Sequence, residues 1–148
     1  MDLLETKILI SSTMSDAKKG AMLMCMDIKD YFLTTPMEHP EFMRVKHEYI
    51  LEDIMKKYNT DNTVIKDSWA HGKIQKGIPE LCQAATLAHR DLKNSIEPCD
   101  YAPILGTFGL WKHNKRLTIF CLCIDNFGVK HWSKQDTQYL YNAVGTNF

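Results

Sequence analysis

The sequence predicts an α+β domain that contains a largely antiparallel sheet, with the helices packed on one face of that sheet. Short apolar strands separated by polar turns fill the last third of the chain, and apolar residues recur at helical spacing elsewhere. The chain has 148 residues, of which 45% are hydrophobic, so a single domain over residues 1–148 can bury a core without disulfides or metal.

Composition excludes several protein classes. The longest apolar runs, residues 21–26 and 119–124, are six residues each, whereas a membrane-spanning helix needs about 20. The N-terminus lacks the pattern of a secretion signal, so we expect an intracellular protein, cytoplasmic or nuclear, that makes no membrane contact. Five cysteines at irregular spacing argue against a disulfide framework. The sequence predicts no particular oligomeric state.

Charge alone does not identify a partner. Eighteen basic and eighteen acidic residues cancel, whereas free-standing nucleic-acid-binding proteins are usually strongly basic. A polyanion would have to be bound by local basic clusters. Lys18-Lys19 and residues 112–116 (KHNKR) are two such clusters, although short runs of charge are more often solvated turns.

Periodicity predicts the elements of the first two thirds of the chain. The predicted helices are residues 5–13, 49–58 and 79–96, with a turn at residues 59–62; the predicted strands are residues 21–27, 42–46 and 69–75. The first strand is a continuous apolar run, which predicts that it is buried, and it ends at Asp27. Apolar and basic side chains alternate over residues 42–46, as in a strand with one solvated face.

The last third of the chain predicts a tight hairpin. The expected strands are residues 108–111, 117–124 and 127–132. Only Asp125 and Asn126 separate the last two strands, and both residue types tolerate the positive φ of a two-residue turn. We therefore expect Asp125 at the tip of this hairpin. Ser133 followed by Asp136 predicts the start of a C-terminal helix.

Asp27 and Asp125 each stand where a predicted apolar strand ends. Carboxylate oxygens favour Mg²⁺ or Mn²⁺, and two carboxylates can hold a pair of ions about 3.5 to 4 Å apart for phosphoryl or nucleotidyl transfer. An aspartate at a strand end is more often simply a turn residue. The pattern itself leaves both interpretations open.

Three strings of the sequence stand out in chain order. They are MDIKDYFLTTP at residues 26–36, KGIPELCQAATLAHRDL at residues 76–92 and FCLCIDNFGVK at residues 120–130. Together, in this order, they resemble the reverse-transcriptase palm motifs of the copia-type retrotransposon family. The first motif of that family is an Asp, an apolar residue, a Lys, any two residues and an aromatic residue. The second is a segment such as SLYGLKQAPR, and the third is an apolar strand that ends in paired aspartates. The resemblance covers residues 5–144 and implies a palm with a ferredoxin-like, mostly antiparallel sheet.

The resemblance implies a metal site. Asp27 and Asp125 would be the catalytic carboxylates of an RNA-directed DNA polymerase, a nucleotidyltransferase that uses Mg²⁺ or Mn²⁺. The main-chain carbonyl of Ile28 and the side chain of Asn126 would be further ligands. The implied partners are an RNA or DNA template with its primer and a deoxynucleoside triphosphate.

The resemblance also implies a nucleotide-binding site. Phe32 would lie beneath the sugar of the incoming nucleotide, and Gln83 would lie near the nucleotide and the template. The alternatives are a core aromatic for Phe32 and an ordinary exposed helical glutamine for Gln83.

Three departures from the family pattern predict a degenerate active site. Asn126 replaces the second aspartate of the pair and so removes a negative charge from the metal site. Glu80 replaces a glycine and adds charge near the expected triphosphate, and Cys82 replaces a lysine. We expect a transposable-element palm fragment, without most of the fingers and without the thumb, that has weak or no activity. The alternatives are an inactive remnant that contacts nucleic acid or another protein, and an unrelated ferredoxin-like binding domain.

Overall fold

The computed structural model describes residues 3–58, 65–107, 109–123 and 126–145, with the side chains of residues 65, 66 and 123 excepted. Its strands, in chain order, are β1 (Met22–Asp27), β2 (Pro36–Lys46), β3 (Ile65–Lys66), β4 (Trp69–Lys76), β5 (Tyr101–Pro103), β6 (Leu110–His113), β7 (Ile119–Cys123) and β8 (Asn126–His131). They form a five-stranded sheet in the order β1-β8-β7-β6-β5 and a three-stranded sheet in the order β2-β4-β3. The strand pairs of both sheets are antiparallel.

The α-helices of the described residues are α1 (Leu3–Asp16), α2 (Tyr31–Thr34), α3 (Glu52–Tyr58), α4 (Cys82–Ile96) and α5 (Lys134–Gly145). The α+β class and the mostly antiparallel sheet are therefore confirmed. Within the described ranges, no helix has the length and apolar character needed to cross a bilayer.

The prediction that the helices pack on one face of the sheet is wrong. On β7, Phe120 and Leu122 face α4 and α5, whereas Cys121 faces the other way and packs with Leu9 of α1. The physical reason is that β7 is apolar at successive positions, so both of its faces must be covered by other elements.

The main core lies between the large sheet and helices α4 and α5. Its most deeply buried aliphatic and phenyl side chains, each at most 1% exposed, are Ala88, Leu92, Ile96, Phe120, Phe127, Val129 and Leu140. Full burial of one of the larger of these side chains contributes about 1.5 to 3 kcal/mol. This core fixes the positions of β7 and β8, which carry the third motif.

β1 is confirmed as a strand, but its predicted burial is wrong. It forms an edge of the large sheet, where it pairs with β8, and its residues Met22 and Leu23 are 44% and 45% exposed. Met24 and Met26 pack against the main core from alternate positions. A continuous apolar run does not distinguish a central strand from an edge strand that has one covered face.

The predicted hairpin is confirmed, but Asn126 lies in a strand rather than in the turn. Cys123 pairs with Asn126, so Asn126 is the first residue of β8 rather than a turn residue. Residues 124 and 125 lie outside the described residues, as does the turn predicted at residues 59–62. Asparagine's tolerance of turns misled the prediction because it is a statistical preference that strand pairing overrides.

The start of α5 is confirmed as predicted. The backbone N–H of Asp136 donates to Ser133 Oγ at 3.2 Å, and the Ser133 hydroxyl donates to the Asp136 carboxylate at 2.7 Å. By contrast, α4 begins at Cys82 rather than at residue 79, because Glu80 has a φ of +75° that is incompatible with a right-handed helix. Periodicity did not predict α2 or β5, which are only four and three residues long.

Lys130 of β8 fixes α1 to the large sheet. Its side chain is 2% exposed, and its ammonium donates to the Ser12 carbonyl at 3.0 Å, to Ser12 Oγ at 2.6 Å and to the Asp16 carboxylate at 2.7 Å. The hydrogen bonds from Lys130 and then Lys19 lower the pKa of Asp16 to about 2. Three acceptors match the three donors of an ammonium group, so its burial is compensated.

We expect Lys130→Met to lower the free energy of unfolding by about 1 to 3 kcal/mol, because α1 loses three hydrogen bonds to a charged group. Urea denaturation at pH 7 measures this change. Lys19→Met is the matched control, because Lys19 is exposed and binds the same carboxylate; its effect should stay within about 0.5 kcal/mol. Equal effects of the two substitutions would contradict the role assigned to Lys130.

His113 is buried in a neutral form at the end of β6. Its Nδ1 accepts hydrogen bonds from the backbone N–H groups of Lys115 and Arg116, both at 3.0 Å. Burial, and then the nearby Arg116 guanidinium, lower the pKa of His113; Asp100 and Asp136 oppose this effect, and Lys115 adds to it. An imidazole that accepts at Nδ1 cannot be protonated there without losing both hydrogen bonds.

The free energy of unfolding should therefore fall as the pH drops from about 7.5 to 5.5, because unfolded His113 takes up a proton near pH 6.5 whereas the lowered pKa of the folded residue delays its protonation to lower pH. We expect His113→Asn to flatten this pH dependence, as measured by urea midpoints across the interval. The control His39→Asn replaces an exposed histidine and should keep the wild-type pH dependence. An unchanged slope in His113→Asn would show that another group titrates.

Candidate functional site

The first and third motif segments lie on neighbouring strands of the large sheet. Asp27 is the last residue of β1 and stands directly opposite Asn126, the first residue of β8. Opposite residues of an antiparallel pair have their Cα atoms about 4.5 to 5.5 Å apart and direct their side chains to the same face. Both residues are exposed. The structure thus brings these two predicted site residues together at one end of the sheet.

Asp125, the second predicted catalytic carboxylate, lies outside the described residues. It precedes Asn126 in the sequence, and its catalytic role stays a prediction. Among the residues that the structure does describe, no three His, Cys, Asp or Glu side chains are grouped so that they can hold a metal ion.

Ile28 connects the candidate site to the core. Its side chain is 7% exposed and belongs to the main core together with Tyr31. This packing holds the chain in place immediately after Asp27. The metal-binding role of the Ile28 carbonyl stays a prediction.

Phe32 of α2 is half-buried and lies where three elements meet. Its ring packs edge-on against the ring of Tyr31, with centroids 5.1 Å apart, and it contacts the main core. A Cβ on Gly77 would stand 2.7 Å from the Phe32 carbonyl oxygen and 3.2 Å from the Ala84 Cβ. Glycine at position 77 therefore allows the chain after β4 to pass close to α2, which brings the second motif beside the first. The nucleotide-binding role of Phe32 stays a prediction.

Gln83 lies in the first turn of α4 and is half-buried. Its side-chain amide donates to the Glu41 carboxylate of β2 at 2.6 Å. The alternative of an ordinary exposed glutamine is therefore wrong, because Gln83 joins α4 to the small sheet. Its role near a nucleotide and template stays a prediction.

Glu80 has the backbone conformation that favours glycine. Its φ is +75°, in the left-handed region that L-residues with a Cβ avoid at a cost of about 1 to 2 kcal/mol. The resemblance to the copia-type family aligns this position with a glycine of the second motif. Cys82, two residues later, is the exposed first residue of α4.

Sequence reasoning missed two residues of this region, Gly77 and Glu41. The string KGIP within the second motif contained a signal for Gly77, since an isolated glycine beside a strand often marks a close backbone approach. The sequence contained no signal for Glu41, because its contact with Gln83 joins residues far apart in the chain.

None of the protein-family models, curated proteins or solved structures compared with this chain matches it. The resemblance to a palm therefore rests on the three motif strings of the sequence.

We expect Glu80→Gly to raise the free energy of unfolding by about 0.5 to 1 kcal/mol, because relief of the left-handed strain exceeds the entropy lost when a glycine is ordered. The midpoint of urea denaturation measures the change. Glu97→Gly is the matched control, because Glu97 is an exposed residue with a φ of −58°, and this substitution should lower stability. Destabilisation by both substitutions would contradict the strain at Glu80.

Proposed function

We propose that this chain is the palm of a copia-type retrotransposon reverse transcriptase whose active site is degenerate and supports weak or no RNA-directed DNA polymerisation. The main support is the direct opposition of Asp27 and Asn126 on neighbouring strands. These residues belong to separate motifs, whose meeting at one strand end is what a two-metal nucleotidyl transfer site requires. If the motif strings matched only by chance, there would be no reason for Asp27 and Asn126 to lie opposite each other.

The backbone at Glu80 supports the same proposal independently. A positive φ at this residue is the conformation for which the glycine of the second motif is suited. The resemblance of KGIPELCQAA to that motif depends on residue types and not on backbone conformation. The resemblance in residue types and the positive φ at Glu80 therefore agree, and this agreement strengthens the assignment of the second motif.

The side chains at the strand end fit a hard cation in donor type. Asp27 offers carboxylate oxygens and Asn126 an amide oxygen, and both are ligand types that Mg²⁺ and Mn²⁺ accept. A bound ion would supply charge neutralisation for the triphosphate and activation of the primer 3′-hydroxyl. Asp27 is exposed and hence accessible to such an ion from solvent.

Two features of the chain weaken this chemistry. Asn126 has no negative charge with which to attract a divalent ion, and Glu80 adds a negative charge beside the second motif, where a triphosphate would be repelled. Because both features weaken catalysis, they favour the second candidate function, a catalytically inactive palm-derived remnant that acts as an interaction or nucleic-acid-contacting module.

We expect Asn126→Asp to raise the affinity for Mn²⁺ at least about tenfold, because it restores a carboxylate opposite Asp27. Enhancement of water-proton relaxation by bound Mn²⁺ measures the affinity without requiring turnover. Adding Glu80→Gly should raise primer extension on an RNA template in Mn²⁺ above the wild-type level.

Both gains should disappear when Asp27→Asn is added, and both should survive Asp53→Asn, which removes an exposed carboxylate on α3. Mn²⁺ binding by the Asn126→Asp variant that does not depend on Asp27 would overturn the proposed metal site.

A further inference from the structure

The outer face of the small sheet has an unusual composition. In the antiparallel register of β2 and β4, Phe42 is opposite Lys73, Arg44 is opposite His71 and Lys46 is opposite Trp69. Opposite residues share a face, and so do residues two apart on one strand. One face of the β2–β4 pair therefore carries two aromatic rings, a histidine and three cations, and we call it the basic aromatic face.

This face is open to solvent. Phe42 is 76% exposed, Trp69 is half-buried, and the other four side chains of the face are exposed. The opposite face of the pair carries Val45 and the buried Ile74, on the side where β2 and β4 contact helices α2 and α4. Ion pairing of Arg90 with Glu38 at 2.7 Å further attaches this sheet to α4.

The cations of the basic aromatic face stand beside aromatic rings. The guanidinium of Arg44 lies 4.7 Å from the centroid of the Trp69 ring, and Lys46 Nζ lies 5.9 Å from the ring of Tyr49. Of the three cations, Lys46 pairs with Glu48 at 3.3 Å, whereas the described residues place no carboxylate within 4 Å of Arg44 or Lys73. The face itself contains no acidic residue, so its charge is complementary to a polyanion.

The basic clusters that stood out in the sequence are different. Lys115 pairs with Asp100 at 2.7 Å, Arg116 pairs with Asp136 at 3.0 Å, and Lys19 pairs with Asp16 at 2.9 Å. Each of these three cations thus has an acidic partner, although Lys19 shares Asp16 with Lys130. The sequence did not reveal the basic aromatic face because its residues come from two strands that are separated along the chain.

We propose that the basic aromatic face binds single-stranded nucleic acid. Exposed rings give unpaired bases surfaces for stacking, and neighbouring cations bind the phosphates, which is the combination used by proteins that hold single strands without reading their sequence. Residues two apart on a strand are about 6.6 to 6.8 Å apart, so successive groups can follow an extended polymer. A duplex offers no free base faces, so single strands are preferred. This proposal does not depend on the metal site of the proposed function.

Fluorescence anisotropy of labelled 20-nucleotide oligo(U) and oligo(dT), with a duplex of equal length, tests the proposal on the full chain. We expect Phe42→Ser to weaken single-strand binding about 5-fold or more through lost stacking. Arg44→Gln and Lys73→Gln should each weaken it and should each reduce the slope of log affinity against log salt by about 0.7. Both oligonucleotides should bind more tightly than the duplex.

Matched controls separate this face from general charge and exposure. Lys115→Gln and Arg116→Gln change the compensated basic cluster, and Tyr141→Ser removes another exposed ring, which is 63% exposed; each should change affinity less than 2-fold. Urea midpoints confirm that every variant is folded. When Phe42→Ser is added to the Asn126→Asp variant, its affinity for Mn²⁺ should not change. A result that refutes single-strand binding by this face can thus be distinguished from a result that refutes the proposed metal site.

The proposal would be overturned by no binding of either oligonucleotide at low salt, by equal losses in the control variants, or by a duplex bound as tightly as the single strands. The proposal would also be overturned if polyglutamate displaced labelled oligo(U) as effectively as unlabelled oligo(U) does at the same concentration of charge. The face would then recognise acidic polymers in general, which would favour an acidic protein as its partner.

Discussion

The pairing of β1 with β8 is the constraint on which the rest of the structure depends. It runs without interruption from Met22 opposite His131 to Asp27 opposite Asn126. This ladder attaches the N-terminal part of the chain to the C-terminal hairpin and so brings two distant motif segments to one end of the sheet. A slip of one residue would turn Met24 and Met26 away from the main core. Core packing therefore specifies the same register that creates the candidate site.

Polar contacts complete what the core begins. The sheet side of α1 contains the buried residues Glu5, Leu9 and Thr13, of which only Leu9 is aliphatic. Glu5 accepts a hydrogen bond from the backbone N–H of Gly109 at 3.1 Å, and Thr13 donates to the carbonyl of Leu9 at 2.8 Å. The Thr13 bond lies within α1 and satisfies a buried hydroxyl, whereas the Glu5 bond and the Lys130 ammonium attach this helix, which has no strong apolar stripe, to its neighbours.

Local patterns predicted the elements well, and long-range contacts explain most of the errors. Alternating residues predicted the strand at residues 42–46 within β2, and Ser133 predicted the start of α5, because both signals lie within a few residues. Whether β1 is a central strand or an edge strand depends on how many other strands pair with it. The sequence of β1 itself does not contain that information. The same holds for the contact between Gln83 and Glu41. At the candidate site, the sequence predicted that Asp27 lies near the third motif. The register of the β1–β8 pair explains why Asn126 is the residue opposite it.

The open edge of β1 has a consequence for handling the protein. Natural sheets discourage edge-to-edge association with prolines, bulges, charges or very short strands. β5, at the opposite edge, is three residues long and ends in Pro103, and β2 contains Pro36 and Pro40. β1 has six residues in regular register and a single charge, Asp27, at its end. In concentrated solution, intermolecular strand addition at the β1 edge is therefore the expected route to aggregation.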